Sequence, residues 1–303
     1  MSSAVKPHHL VPETVREWVR GHNESELPAP RLTPVAGMKW LFDEWSLQVE
    51  LASGRMKIPH GSFRHRVRSE LSEARQVFEE QGWLADPRSY HQEPTDISEV
   101  SSRWDRLGTL RYEHVRFDSD YQPHPDHPGA DRWLAYQPTK TGHLWRLRHD
   151  DEPGAPARPW MVLVNGYRTG EPMADLGFFR AAHLHHRLGL NLAIVVLPLH
   201  GPRSVGATGA RVLHAGAMNT IHTLAHGAWD VRRVIRWLRA TEGAEQIGLS
   251  GISLGGYMVA LVSGLEPGLA GVIGGVPESD LARGMRRQIE PLLPPCLLYT
   301  SPS

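Results

Sequence analysis

Apolar and polar positions follow two different rhythms along this chain. From about Arg106 onward, strand-length apolar runs alternate with stripes at helical spacing. Before it, apolar residues are sparse and fall at helical steps. Residues 110–117 (LRYEHVRF) alternate as a half-buried strand does, and a second strand candidate spans 143–148. Residues 160–164 (WMVLV) form a continuous apolar run ending in Asn165-Gly166, the pattern of a parallel strand covered on both faces. A helix over 172–188 and a buried strand over 192–197 (LAIVVL) follow. Ile221, Leu224, Ala228, Val231, Val234, Ile235 and Leu238 recur at steps of three and four, predicting an amphipathic helix to about Ala240. Strand 246–249, a helix from Leu254 and strand 270–276 complete the series. Strand–helix–strand repetition predicts an α/β fold: a mostly parallel sheet with helices on both faces.

The N-terminal part predicts helices at 12–19, at 37–53 (with Trp40, Leu41, Trp45, Leu47 and Leu51 as its stripe) and at 69–83, the last ended by Gly82. The basic stretch 55–68 between them reads as a solvated loop, with an anion site as the alternative. The expected organisation is a helical extension over 1–105 and an α/β domain over 106–295. No fixed-period repeat or low-complexity tract interrupts either part.

Composition narrows the function classes. In 303 residues, Lys+Arg 33 cancels Asp+Glu 33, so no net positive field favours a nucleic-acid partner. No apolar run reaches the ~18 residues of a membrane span, and the polar N-terminus lacks a signal-peptide core. The expectation is a cytoplasmic protein. Cys296 is the single cysteine, which excludes a disulfide framework. The last eight residues, 296–303 (CLLYTSPS), follow Pro294-Pro295 and, back-translated, resemble an in-frame read of a transposase sequencing adapter. They are expected to be an artefact, with the natural protein continuing past Pro295. A sheet cut short there would expose an apolar edge and favour aggregation.

Gly251-Ile252-Ser253-Leu254-Gly255 matches G-x-S-x-G, a pattern that chance supplies about 0.2 times in a chain this rich in glycine. A strand precedes it and a helix follows. Glycine on both sides lets strand and helix approach a sharply turned serine without Cβ clashes. A glycine-rich packing turn is the alternative. With GISLGGY, LVNGYRTG after the strand at 160–164, and VVLPLHGPR after the next, the chain resembles the α/β-hydrolase superfamily from about Arg106 to Pro295. The resemblance implies a serine hydrolase with Ser253 as nucleophile. It implies an oxyanion hole from the backbone N–H of Leu254 and, in the Asn165-Gly166-Tyr167 turn, that of Tyr167. Family members usually carry His-Gly where Asn165 stands, which puts that loop's geometry in question. The substrate implied is a small acyl compound, an ester or similar, and no cofactor or metal is called for.

Histidine placement complicates the reading. All 18 histidines lie at or before His226, whereas the family order is Ser, then acid, then His. A serine hydroxyl needs a base within hydrogen-bond reach, so the base is expected beyond Pro295 and the chain as given is expected to be inactive. Asp280 is a candidate acid or a helix N-cap. His200 is read as lining the site or closing a strand end, and Arg203 as a substrate anchor or an ion-pair member. His183, His185, His186, His124 and His127 form no ordered tetrahedral set, and only His183 and His186 share a helix face. A catalytically silent binding protein, and a peptidase or acyltransferase, remain the alternatives.

Overall fold

The computed structural model describes residues 61–150 and 156–277, with 33, 37, 38, 41, 280 and 281 besides. The chain divides into two compact units, Met1–Lys57 and Ile58–Ser303, and the elements below all belong to the second. The helices expected at 12–19 and over most of 37–53 lie outside the described residues, as do the tail 296–303 and Cys296.

Helix α1, Gly61–Glu80, starts earlier than its apolar pattern suggests. The second half of the basic stretch is therefore helix, not loop. Side-chain pairs four residues apart support it: Arg66 with Glu70 at 3.3 Å, Arg75 with Glu79 at 2.9 Å and Ser69 with Glu73 at 2.7 Å. Gly82, at φ +74°, ends it, and the Trp83 N–H returns to the Phe78 carbonyl at 2.9 Å, a Schellman closure.

Strand β1, Val100–Leu107, runs across the division expected at 105/106 and pairs with β2, Leu110–Asp118, through a two-residue hairpin at Gly108 and Thr109. β1 carries no apolar alternation because it is an edge strand with seven exposed positions out of eight. Short helix α2, Ala130–Leu134, leads to β3, Thr141–Leu147. Then come β4, Trp160–Val164, helix α3, Pro172–Phe178, and β5, Asn191–Val196. The helix expected over 172–188 is broken: Arg180 takes φ +51°, and a π-helical turn, His183–Arg187, resumes after it. The break leaves Phe178 outside while Phe179 and Ala181 enter the core.

After β5 come α4, Ala210–His214, and the long α5, Ala217–Thr241. Strand β6, Ile247–Ile252, helix α6, Leu254–Ser263, and strand β7, Gly271–Gly275, follow. The seven strands lie in the order β1-β2-β3-β5-β4-β6-β7. β5, β4, β6 and β7 are mutually parallel, while β3 is antiparallel to β5 and to β2. Two reversals leave β2 pointing the same way as the parallel strands. The loops after β2, β5, β4, β6 and β7 therefore leave one common edge of the sheet.

One face of the sheet presents Val115, Leu144, Val162 and Val195 to α5 and α6. The other presents Tyr112, Trp145, Leu163 and Ile194, with Leu176 of α3 packed on it. Each such side chain, fully buried, contributes about 1.5–3 kcal/mol of transfer free energy. Helix α5 is buried on its outer side as well. Arg232, Arg233 and Arg236 hold the extended segment 91–97 by its carbonyls, as in Arg232 to Gln92 O at 2.9 Å and Arg233 to Thr95 O at 2.9 Å. Arg132 of α2 forms a bidentate pair with Glu70 of α1 at 2.7 and 3.0 Å, bracing α1 against that layer.

Candidate active site

Ser253 stands where β6 turns into α6, with φ 55° and ψ −115°, a conformation that costs a non-glycine residue about 1–3 kcal/mol. The flanking glycines explain how so sharp a turn packs. A Cβ on Gly251 would lie 2.2 Å from the Gly255 carbonyl oxygen, and one on Gly255 would lie 2.1 Å from that of Val164. Neither neighbour can move, since both are backbone. The Ser253 N–H donates to the Gly275 carbonyl at 2.9 Å, tying the turn to the end of β7. The side chain is exposed, and although Ser253 occupies the N-cap of α6 its hydroxyl makes no capping bond. Leu254 is the first residue of α6, so its N–H belongs to the set that a helix leaves without an internal partner.

The turn after β4 lies against this elbow. β4 and β6 pair in parallel with Val164 opposite Gly251, so both loops begin at the same level. A Cβ on Gly166 would sit 3.2 Å from the Ile252 carbonyl oxygen. Tyr167 follows it, half-buried, and the Arg168 guanidinium lies over the Tyr167 ring at 5.7 Å. Arg168 itself takes φ +65°.

Asn165, the departure from the usual His-Gly, is fully buried and serves the backbone. Its Oδ1 accepts from the Leu197 N–H at 2.7 Å and its Nδ2 donates to the Gly166 carbonyl at 2.9 Å. One side chain thus fastens the end of β5 to the turn carrying Tyr167.

A second crossing fixes the outer loops. Gly201, at φ +48°, passes so close to Gly170 that an added Cβ would meet the Gly170 oxygen at 1.9 Å. Thr208 closes the same contact, accepting from the Gly201 N–H at 2.8 Å and donating to the Thr169 carbonyl at 3.2 Å. His200 closes the strand end: it is wholly buried, and its Nδ1 donates to the Pro198 carbonyl at 2.9 Å. Burial lowers its pKa to about 4, so the ring is neutral near neutral pH.

Arg203 is no substrate anchor. Its guanidinium is wholly inaccessible and lies 2.8 Å from Asp230 of α5. The contact is electrostatic in character. Arg203 aims its N–H groups at the carbonyls of Val196 (2.8 Å) and Thr139 (2.7 Å), and Asp230 Oδ2 accepts no aligned hydrogen bond. Asp230 Oδ1 accepts from the Ser119 hydroxyl at 2.6 Å. Burial alone would raise the Asp230 pKa, but the Arg203 charge and the His226 and Ser119 contacts outweigh it and hold it at about 2. Asp230 lies beside the apolar stripe of α5, on the side that carries Asn219, His226 and Arg233, and nothing in the sequence marks it as the partner of a buried cation.

Asp280 is exposed and follows β7 on the same edge as the elbow, directly before the helical residue Leu281. His185 is buried with its ring stacked on His149 at 3.9 Å, and its Nδ1 donates to the Leu190 carbonyl. Among the described residues no group of three or more His, Cys, Asp or Glu side chains is arranged to hold a metal ion. Among them, too, no helix is long and apolar enough to cross a membrane.

No protein-family model matches the chain. It is 37% and 36% identical over 272 residues to uncharacterized proteins from two strains of Mycobacterium tuberculosis. The alignments cover 89% of this chain but 64% of each relative, so the chain spans less than two thirds of their length. Among solved structures it is similar to acetyl xylan esterase 1 from a Thermoanaerobacterium species, with TM-score 0.39 and 14% identity over 72% of this chain and 58% of the other. It is similar also to a Pyrococcus furiosus esterase, with TM-score 0.35 and 13% identity over 68% of this chain and 66% of the other. The α/β class of the chain stands on its own strand order and on the burial of both sheet faces.

Proposed function

We propose that the protein is a serine hydrolase of the α/β-hydrolase type, cleaving an ester or similar acyl bond of a small-molecule substrate through an acyl-enzyme on Ser253. The observation that carries this reading is the strained, exposed serine at a strand-to-helix turn whose two glycines touch backbone on either side. Such strain persists only where the surroundings over-determine it, and it raises the hydroxyl above the helix start. Ser253 Oγ attacks the carbonyl carbon, and the N–H groups of Leu254 and Tyr167 receive the developing oxyanion. Losing one such donor costs about 2.7–4 kcal/mol in the transition state. A histidine outside the described residues accepts the serine proton and later activates water, with Asp280 a candidate to orient it.

The competing reading is a silent α/β protein that binds a ligand without turnover. Reaction of the natural full-length protein with a fluorophosphonate probe separates the two. Labelling that disappears in Ser253→Ala is the expected result, and an unlabelled, folded protein would sink the hydrolase reading.

A further inference from the structure

A cavity of about 320 Å³ opens on the same edge of the sheet, between the loop after β2 and the segment entering β3. We propose that it binds a neutral carbohydrate ring. Its rim carries Asp118, Asp120, Gln122 and Lys140, its wall is the half-buried Tyr121, and the buried Trp133 and His226 lie behind it.

The Tyr121 wall is held in place. The Tyr121 ring stacks on His226 at 4.5 Å, and the Trp133 indole N–H donates to His226 Nδ1 at 3.3 Å. A rigid aromatic wall offers apolar area at little entropic cost on binding. The rim supplies both kinds of hydrogen-bonding group. Asp118 uses one carboxylate oxygen on the Asp120 N–H and Asp120 one on the Thr95 hydroxyl, while their other oxygens have no bond among the described residues. Lys140 is the single lysine among the described residues of a chain with 29 arginines, and it forms no ion pair among them. An ammonium turns three donors freely toward a ligand, whereas a guanidinium fork suits planar anions.

The charges decide the ligand class. Lys140 opposes a cation beside Asp118 and Asp120, and the two carboxylates oppose an anion beside Lys140. A neutral ligand dense in hydroxyl groups satisfies acceptors and donors together, and a pyranose adds an apolar C–H face for an aromatic wall. The volume falls at the small end of ligand cavities, about 300–1,000 Å³, and suits one or two sugar rings. Recognition here requires no chemistry at Ser253, so the inference stands apart from the hydrolase reading.

Saturation-transfer NMR and calorimetry on the full chain would test it, with glucose, xylose, maltose and cellobiose as probes and spermidine and glucuronate as charged comparators. At least one neutral sugar is expected to bind with millimolar or better affinity. Binding should weaken about tenfold or more in Lys140→Met and in Asp118→Asn/Asp120→Asn, both at exposed rim positions. Circular dichroism confirms that each variant keeps its fold. The proposal is overturned if no sugar binds up to about 50 mM. It is equally overturned if a charged comparator binds more tightly or if folded rim variants bind as the parent does.

Discussion

Replacing Arg203 by methionine should destabilise the protein more than any surface change. The substitution keeps most of the aliphatic stem and removes the charge. Asp230 would then be left at 1% side-chain exposure with the Ser119 hydroxyl and His226 as its remaining partners. Stranding one half of a buried ion pair costs about 3–5 kcal/mol. The carbonyls of Val196 and Thr139 would also lose their donors, each adding about 1–3 kcal/mol unless water reaches it. Against a total stability of about 5–15 kcal/mol, the variant should be marginal or unfolded. Asp230→Asn should be milder, because an amide oxygen still accepts from Ser119, though it leaves the Arg203 charge unbalanced.

Urea melts of the parent, both single variants and Arg203→Met/Asp230→Asn would measure this. The double variant removes both charges, so its loss should fall well short of the summed single losses. A folded Arg203→Met that loses less than about 1 kcal/mol would refute the reasoning. So would a double variant additive to within about 0.5 kcal/mol. The pH dependence gives an internal check. Asp230 has a folded pKa near 2 against an ordinary value of about 3.9. Its contribution is therefore fully present above about pH 4 and fades as pH falls toward 2. The difference between parent and Asp230→Asn should stay flat through the neutral range and shrink only in strong acid.

Other expectations follow from the same geometry. Gly255→Ala places a Cβ 2.1 Å from the Val164 oxygen, so it should cost several kcal/mol in a thermal melt and abolish probe labelling at Ser253. Asn165→Ala leaves the buried Leu197 N–H unpaired and should lower stability by about 1–3 kcal/mol. Burial holds His200 and His222 near pKa 4 and His143 near 3, against about 6.5 unfolded. The unfolded chain binds more protons as pH drops below about 6.5. Stability is thus complete above that value, and Tm should fall steeply from about pH 6.5 toward 4, before Asp230 titrates. Val272 and Ile273 of β7 are 40% and 60% exposed, so Ile273→Lys should reduce self-association in light scattering.

The parallel strands were legible because a strand covered on both faces has to be apolar nearly throughout, as 160–164 and 192–196 are. The elbow was legible for a related reason. Where backbone meets backbone at about 2 Å from any possible Cβ, only glycine fits, so close approach leaves a mark in the sequence. β1 left none, because its stability comes from ladder bonds to β2 that any residue can make. The helix break at Arg180 was equally silent, a positive φ at a residue whose type gives no warning.

The outer side of α5 shows the deeper limit. Its polar residues read as a solvated face, yet Asn219, His222, His226, Asp230, Arg232 and Arg233 are buried. Polarity in a sequence signals a need for hydrogen bonds, and water is only one source of them. Here the partners are Glu266, the carbonyls of 92–96 and the hydroxyl of Ser119, supplied by segments as much as 140 residues away in the chain. The same ambiguity applies to Arg203, whose position after a strand at the site edge suits a substrate anchor as well as a core cation. Only the placement of Asp230 opposite it decides between them, and that pairing is a property of the fold. Sites held by backbone approach can therefore be read from glycines, whereas sites held by charge need the partner to be in view.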